Sequence, residues 1–139
     1  MSGAKSFAGA SAAVPASTPL LDIQDVSKGF TLHAAGRRVS GCEHISMRVG
    51  HGEFVGVTGR SGSGKSTILK CIYRTNLPES GKILYDSAAF GVVDLATLDE
   101  RRMIYLRNNE IGYISQFLDC VPRTTARQIV RASASEAFE

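Results

Sequence analysis

The 139-residue sequence has no run approaching the ~18 consecutive apolar residues of a membrane-spanning helix, because Gly, Ser or a charge interrupts every apolar stretch within a few positions. A soluble chain without direct membrane insertion is expected. Cysteine is scarce: Cys42, Cys71 and Cys120 are odd in number and contain no Cys-x-x-Cys pair, which argues against a disulfide framework and against a zinc site. Reduced, partly buried thiols suit the cytoplasm. The three histidines, His33, His44 and His51, lack metal-ligand spacing and are assigned no chemistry. Charge of one sign is also scarce. Sixteen Lys+Arg against thirteen Asp+Glu leave a net +3, too small an excess to name a polyanionic partner. Arg101, Arg102 and Arg107 share a helical segment with Asp99 and Glu100, so a solvated, salt-bridged face is expected there rather than a nucleic-acid patch.

What is present is ordinary globular material, with 43% hydrophobic and 21% charged residues. At roughly 100–200 residues per domain, such a chain is one domain or part of one. No internal repeat is visible. Residues 1–19 contain six Ala, four Ser, two Gly, two Pro and one Thr. These predict a flexible tail, since small and turn-forming residues bury too little to order themselves. Lys5 is the only charge in that tail and its apolar residues are interrupted, so no secretory signal is expected. The folded portion is placed at residues 20–139.

Leu21, Ile23 and Val26 mark one short strand, Phe30 and Leu32 another, and Ile45, Met47 and Val49 alternate in a third. Strands so closely spaced predict an antiparallel layer. Phe54, Val55 and Val57 form a nearly continuous apolar run, which predicts a strand buried on both faces of a parallel sheet. Ile68, Leu69, Ile72 and Tyr73 recur at helical spacing and predict a helix from Lys65 to about Arg74, ended by the segment containing Pro78. Ile83 and Tyr85 pair with Phe90, Val92 and Val93 as a hairpin. Thr97 to Asn108 reads as a helix, Ile111 to Ser115 as another buried strand, and Thr125 with Gln128 as a capping box opening a last helix. The fold class is therefore α/β with an antiparallel annex.

Between the expected strand and helix lies Gly59-Arg60-Ser61-Gly62-Ser63-Gly64-Lys65-Ser66, followed by Thr67. This is the phosphate-binding pattern G-x-x-x-x-G-K-[ST] in its required context. Its glycines permit backbone conformations in which successive N–H groups point inward around phosphate oxygens. The helix N-terminus adds partial positive charge and unpaired donors. Lys65 is expected to reach the outer phosphates and the Ser66 hydroxyl to bind Mg²⁺. The loop alone does not distinguish ATP from GTP, or hydrolysis from holding.

Together these residues resemble the nucleotide-binding domain of ABC ATPases, a P-loop NTPase fold, from about Leu20 to Val130. The resemblance is carried by the 61–67 loop, the preceding Gly52-Glu53 turn, and Ile111-Gly112-Tyr113-Ile114-Ser115-Gln116 downstream. It implies ATP and Mg²⁺ as cofactors, cradled by Gly59, Ser61, Gly62, Ser63, Gly64, Lys65, Ser66 and Thr67. Val26-Ser27-Lys28-Gly29-Phe30 is similar to the segment whose aromatic residue stacks on adenine, which points to Phe30. Strand propensity alone would leave that residue in core packing. Gln116 matches the glutamine that senses Mg²⁺ and the attacking water, so the resemblance groups it with Lys65 in catalysis and with Ser66 at the metal. It further implies pairing with a second ABC subunit, identical or related.

A narrower likeness is to the L proteins of the phosphonate (Phn) carbon-phosphorus lyase system. It rests on Phe30-Thr31-Leu32-His33, on Cys71-Ile72-Tyr73-Arg74-Thr75-Asn76-Leu77-Pro78, and on Ser115-Gln116-Phe117-Leu118 with Val121-Pro122-Arg123. It implies a role in phosphonate catabolism and docking on lyase subunits. The alternative is a non-catalytic nucleotide-binding fragment, or the ATP-binding subunit of an ABC transporter of the lipoprotein-exporter type. Several family elements have no match in the sequence: a Leu-Ser-Gly-Gly-type signature, an acidic strand end after it, and a late histidine. Val92-Val93-Asp94 is only superficially like the acidic strand end, because it precedes Gln116. The expectation is therefore the N-terminal portion of an ABC-type domain, with an incomplete parallel core sheet and little or no independent hydrolysis. A small P-loop kinase or GTPase fits less well, since a β-rich segment precedes the loop and no Asn-Lys-x-Asp stretch occurs.

Overall fold

The computed structural model describes residues 18–32, 37–115, 124–128 and 130–131. They fall into two compact units, one ending at Leu98 and the other beginning at Asp99. The first unit is built on a four-stranded antiparallel sheet of order β2-β1-β3-β4, formed by β1 (Leu21–Leu32), β2 (Arg37–Val49), β3 (Ser80–Ser87) and β4 (Gly91–Asp94). Helix α1 (Lys65–Ile72) lies against β2.

The two short strands expected around Val26 and Phe30 are one strand, β1, and its local chemistry explains why the pattern looked broken. Ile23 and Val26 are three residues apart, so in a regular strand they would face opposite sides. Both are buried. The register between them shifts, and Asp25 takes a positive φ of 52° there. Across the ladder Cys42 and Ile45 are also three apart and buried, with His44 at φ 50° between them. Asp and His are among the non-glycine residues that tolerate this region. Two serines stabilise it: the Asp25 N–H donates to Ser46 Oγ and the His44 N–H to Ser27 Oγ, each at 2.9 Å. His44 Nδ1 lies 2.7 Å from Asp25 Oδ1. These facing bulges turn a three-residue spacing into a shared buried face.

α1 ends where the chain turns left-handed at Arg74, φ 59°, with the Thr75 and Asn76 N–H groups both donating to the Lys70 carbonyl oxygen. Arg74 Nη1 donates to the Leu98 carbonyl oxygen. The hairpin expected at residues 83–93 is present as β3 and β4.

The two strands expected at Phe54–Val57 and Ile111–Ser115 are not formed. Neither segment belongs to the sheet, Phe54 is 97% exposed and Ile114 is 88% exposed. An apolar run supplies side chains that suit a buried strand, but the strand needs a hydrogen-bonded neighbour. No described segment pairs with either run, and all pairings in the sheet are antiparallel. The parallel core expected from the sequence is thus absent among the described residues.

In the second unit, helix α2 (Glu100–Asn109) is capped by Asp99, whose Oδ1 accepts the Arg102 N–H at 3.0 Å. Met103 and Leu106 are its buried residues. The expected capping box is present: the Thr125 N–H donates to Gln128 Oε1 at 2.8 Å and the Gln128 N–H to Thr125 Oγ1 at 3.4 Å, opening a helical turn at 126–128. No helix among the described residues is long and apolar enough to cross a membrane. Residues 1–17 of the tail expected at 1–19, and the segment carrying Gln116 to Arg123, lie outside the described residues.

Candidate functional site

The loop from Gly59 to Gly64 leads directly into α1. Gly59, Gly62 and Gly64 all have positive φ, at 152°, 76° and 95°. The requirement is sharpest at Gly64, the N-cap of α1. A Cβ there would lie 2.3 Å from the Gly41 carbonyl oxygen and 2.9 Å from the Cys42 Cβ. The first turn of the helix is therefore seated on the backbone of β2, which only glycine permits. Within the loop, the Ser63 N–H donates to the Arg60 carbonyl oxygen at 3.1 Å.

Lys65 begins α1 and folds back over the loop. Its ammonium donates to the carbonyl oxygens of Gly59 and Arg60, both at 2.8 Å, and lies 3.4 Å from Ser63 Oγ. Ser66 and Thr67 follow in the first turn, Ser66 exposed and Thr67 half-buried. No side chain caps α1 and no acidic residue occupies its first turn. Those two facts fit a phosphate group, because a capping carboxylate would occupy the same donors and repel an anion. The hydroxyl of Ser66, a hard oxygen donor, suits Mg²⁺.

Phe30 is 39% exposed, so it is neither the fully buried core residue of strand propensity nor a free surface side chain. Its ring edge rests on Gly41, where an added Cβ would lie 2.5 Å from Cε2. The Lys28 ammonium stands 5.7 Å from the ring centroid, within cation–π range. Gly41 thus touches the Phe30 ring on one side and Gly64 on the other. The structure brings Phe30, Gly59, Ser61, Gly62, Ser63, Gly64, Lys65, Ser66 and Thr67 into one region joined through β2, while Gln116 lies outside the described residues.

Gly41 was not singled out from the sequence, and Cys42 was read there only as a partly buried thiol. A glycine inside a strand pattern signals a close backbone approach, and Gly41 was the available hint. Asp94, set apart in the sequence by its place before Gln116, accepts the N–H groups of Ile83 and Ala96 on Oδ1 at 3.1 and 3.0 Å. Cys42 and Cys71 are buried and free. Burial pushes both thiols up, Cys71 to about 11 with the nearby Cys42 adding to the effect, which makes them poor nucleophiles.

A model of the ABC transporter family matches residues 42–138. The lipoprotein-releasing system ATP-binding protein LolD 2 of Chlorobium chlorochromatii is 33% identical over 111 residues, covering 80% of this chain and 46% of the relative. LolD of Shewanella denitrificans is 34% identical over 120 residues, 86% of this chain and 48% of the relative. The macrolide export ATP-binding/permease protein MacB of Brucella abortus is 31% identical over 119 residues, 86% of this chain but 17% of its own length. Among solved structures, the dimeric bacterial ABC transporter cassette MJ0796 superposes with a TM-score of 0.73 at 24% identity, over 86% of this chain and 48% of that one. The chain spans about half the length of the LolD relatives it matches.

These relatives correct the narrower likeness to the carbon-phosphorus lyase L proteins, because they belong to lipoprotein release and export. The structure gives a reason the narrower residues misled. The 73–76 stretch forms the left-handed termination of α1 on the Lys70 carbonyl, a helix-ending role that local backbone geometry alone accounts for. What remains is the ABC ATPase nucleotide-binding fold with an antiparallel sheet and a phosphate loop, and on the family match over residues 42–138 the chain belongs to the ABC transporter family.

Proposed function

We propose that the chain binds Mg-ATP at the 59–67 loop as the ATP-binding part of a transport assembly of the lipoprotein-releasing or export kind. The observation that carries this reading is the uncapped start of α1, seated through Gly64 on β2 beside the Lys65 ammonium. Phosphate oxygens would take up the α1 N–H groups and draw Lys65 from the Gly59 and Arg60 carbonyls. Ser66 would hold Mg²⁺, whose positive charge offsets that of the phosphates. Phe30 would offer its exposed face to the base, and Gln116 is proposed as a further residue on the metal side. The names of the relatives support a permease partner in place of lyase subunits and pairing with a second cassette; a cytoplasmic placement is proposed with them.

Holding the nucleotide is proposed to be the chain's own share of the reaction. Asp94, the acidic end of an apolar strand, has its Oδ1 engaged by two backbone amides, and it is given no part in water activation in this reading. Titration with Mg-ATP tests the reading. Lys65→Ala is expected to weaken binding about tenfold or more, the value of a charge-assisted hydrogen bond. A chain that binds no Mg-ATP, or whose affinity ignores Lys65→Ala, would sink it. Turnover by the chain that vanishes in Lys65→Ala would overturn the non-hydrolytic part alone.

A further inference from the structure

In the β1–β2 ladder Lys28 pairs with Cys42 and Gly29 with Ser40, so Gly41 is an extra residue in β2 with no partner opposite. This is a third register shift, beyond the two facing bulges. The unpartnered Gly41 is the residue that both halves of the candidate site touch. A Cβ on it would lie 2.5 Å from Phe30 Cε2, 3.0 Å from Phe30 Cδ2 and 2.8 Å from the Lys28 carbonyl oxygen. Its own carbonyl oxygen is the atom against which Gly64 is seated.

We infer that Gly41 is a positioning residue for the nucleotide: its missing side chain lets the Phe30 ring settle beside the start of α1, and so sets the offset between base and phosphates. This rests on the nucleotide-binding reading above. Gly41 touches no ligand itself. A methyl group at this position displaces the ring, the movable neighbour, while the phosphate loop keeps its own backbone. The consequence is selective, since ligands with a base lose affinity and ligands with phosphates alone keep it.

The test is a double-mutant cycle on the full chain, with Gly41→Ala, Phe30→Ala and the pair, titrated with Mg-ATP and with inorganic tripolyphosphate plus Mg²⁺. Gly41→Ala is expected to weaken ATP binding about tenfold, the scale of a lost base–aromatic stack. Tripolyphosphate binding stays within about a factor of two. In the Phe30→Ala background, adding Gly41→Ala costs clearly less than it does beside Phe30. The Lys28 carbonyl contact persists in both backgrounds, so it drops out of the difference between the two steps. Thermal melting covers the folding question: a Gly41→Ala chain that unfolds but is restored by Phe30→Ala supports the clash. A Phe30→Ala replacement that shifts the melting temperature of Gly41→Ala no differently from that of the wild type overturns it. Equal losses for ATP and tripolyphosphate, or equal losses in both backgrounds, also overturn the inference while leaving nucleotide binding intact. A wild-type chain that binds tripolyphosphate as well as ATP overturns it too, and one that binds neither removes both readings.

Discussion

Gly62 and Gly64 allow the seating of α1 on β2 to be measured, because they share a strained backbone and differ in surroundings. Their φ values are 76° and 95°. A Cβ at Gly62 would meet nothing within 4 Å, whereas at Gly64 it would lie 2.3 Å from the Gly41 carbonyl oxygen. Replacing either by alanine places a side chain in the left-handed region, at about 1–2 kcal/mol. Gly64→Ala must also lift the first turn of α1 from a backbone atom that cannot rotate away, an overpacking cost of about 1–3 kcal/mol more. Urea unfolding followed by far-ultraviolet circular dichroism reads the difference. With a slope of about 1–3 kcal/mol/M, the Gly64→Ala midpoint should fall roughly 1 M below that of Gly62→Ala. Equal midpoints, or a lower one for Gly62→Ala, would refute the seating of the helix and the joint built on it.

The same comparison holds in the β3–β4 hairpin, where Gly81→Ala should be far more damaging than Gly91→Ala in urea melts. A Cβ at Gly81 would lie 2.5 Å from the carbonyl oxygens of Gln24 and Asp25, while at Gly91 it would meet nothing within 4 Å. The buried thiols predict alkaline destabilisation. The folded chain keeps the Cys71 proton after the unfolded chain has lost it, so stability is unaffected well below pH 9 and falls as pH rises from 9.0 toward about 11. That span limits the loss to roughly 3 kcal/mol, and melts of Cys71→Ala should show a flatter alkaline limb. Asp99→Ala removes the cap of α2 and should cost about 1 kcal/mol, with Asp99→Asn nearly neutral in the same unfolding assay.

The phosphate loop was legible because its information is local: eight consecutive residues specify a turn, a charge and a helix start. The Thr125–Gln128 box was legible for the same reason, its partners being three residues apart. What escaped depends on residues distant in sequence. The continuity of β1 is set by Ser46 answering Asp25 and Ser27 answering His44 across the ladder. Phe54, Val55 and Val57 announce a preference for burial but contain nothing that says which segment would pair with them. Gly41 acquires its meaning only when Phe30 and Gly64 arrive from opposite directions along the chain.

The facing bulges also give the hairpin a kind of parity. Ile23 opposes Met47, Val26 opposes Ile45 and Lys28 opposes Cys42, so an extra residue in one strand at Asp25 is offset by one in the other at His44. Removing Asp25 alone would bring Ile23 and Val26 to the two-residue, same-face spacing of a regular strand, while β2 kept its own extra residue at His44. Removing Asp25 and His44 together would leave a regular ladder in which Ile23, Val26, Ile45 and Cys42 still share a face. Each bulge therefore restores, within its own strand, the common face that a three-residue spacing would otherwise split.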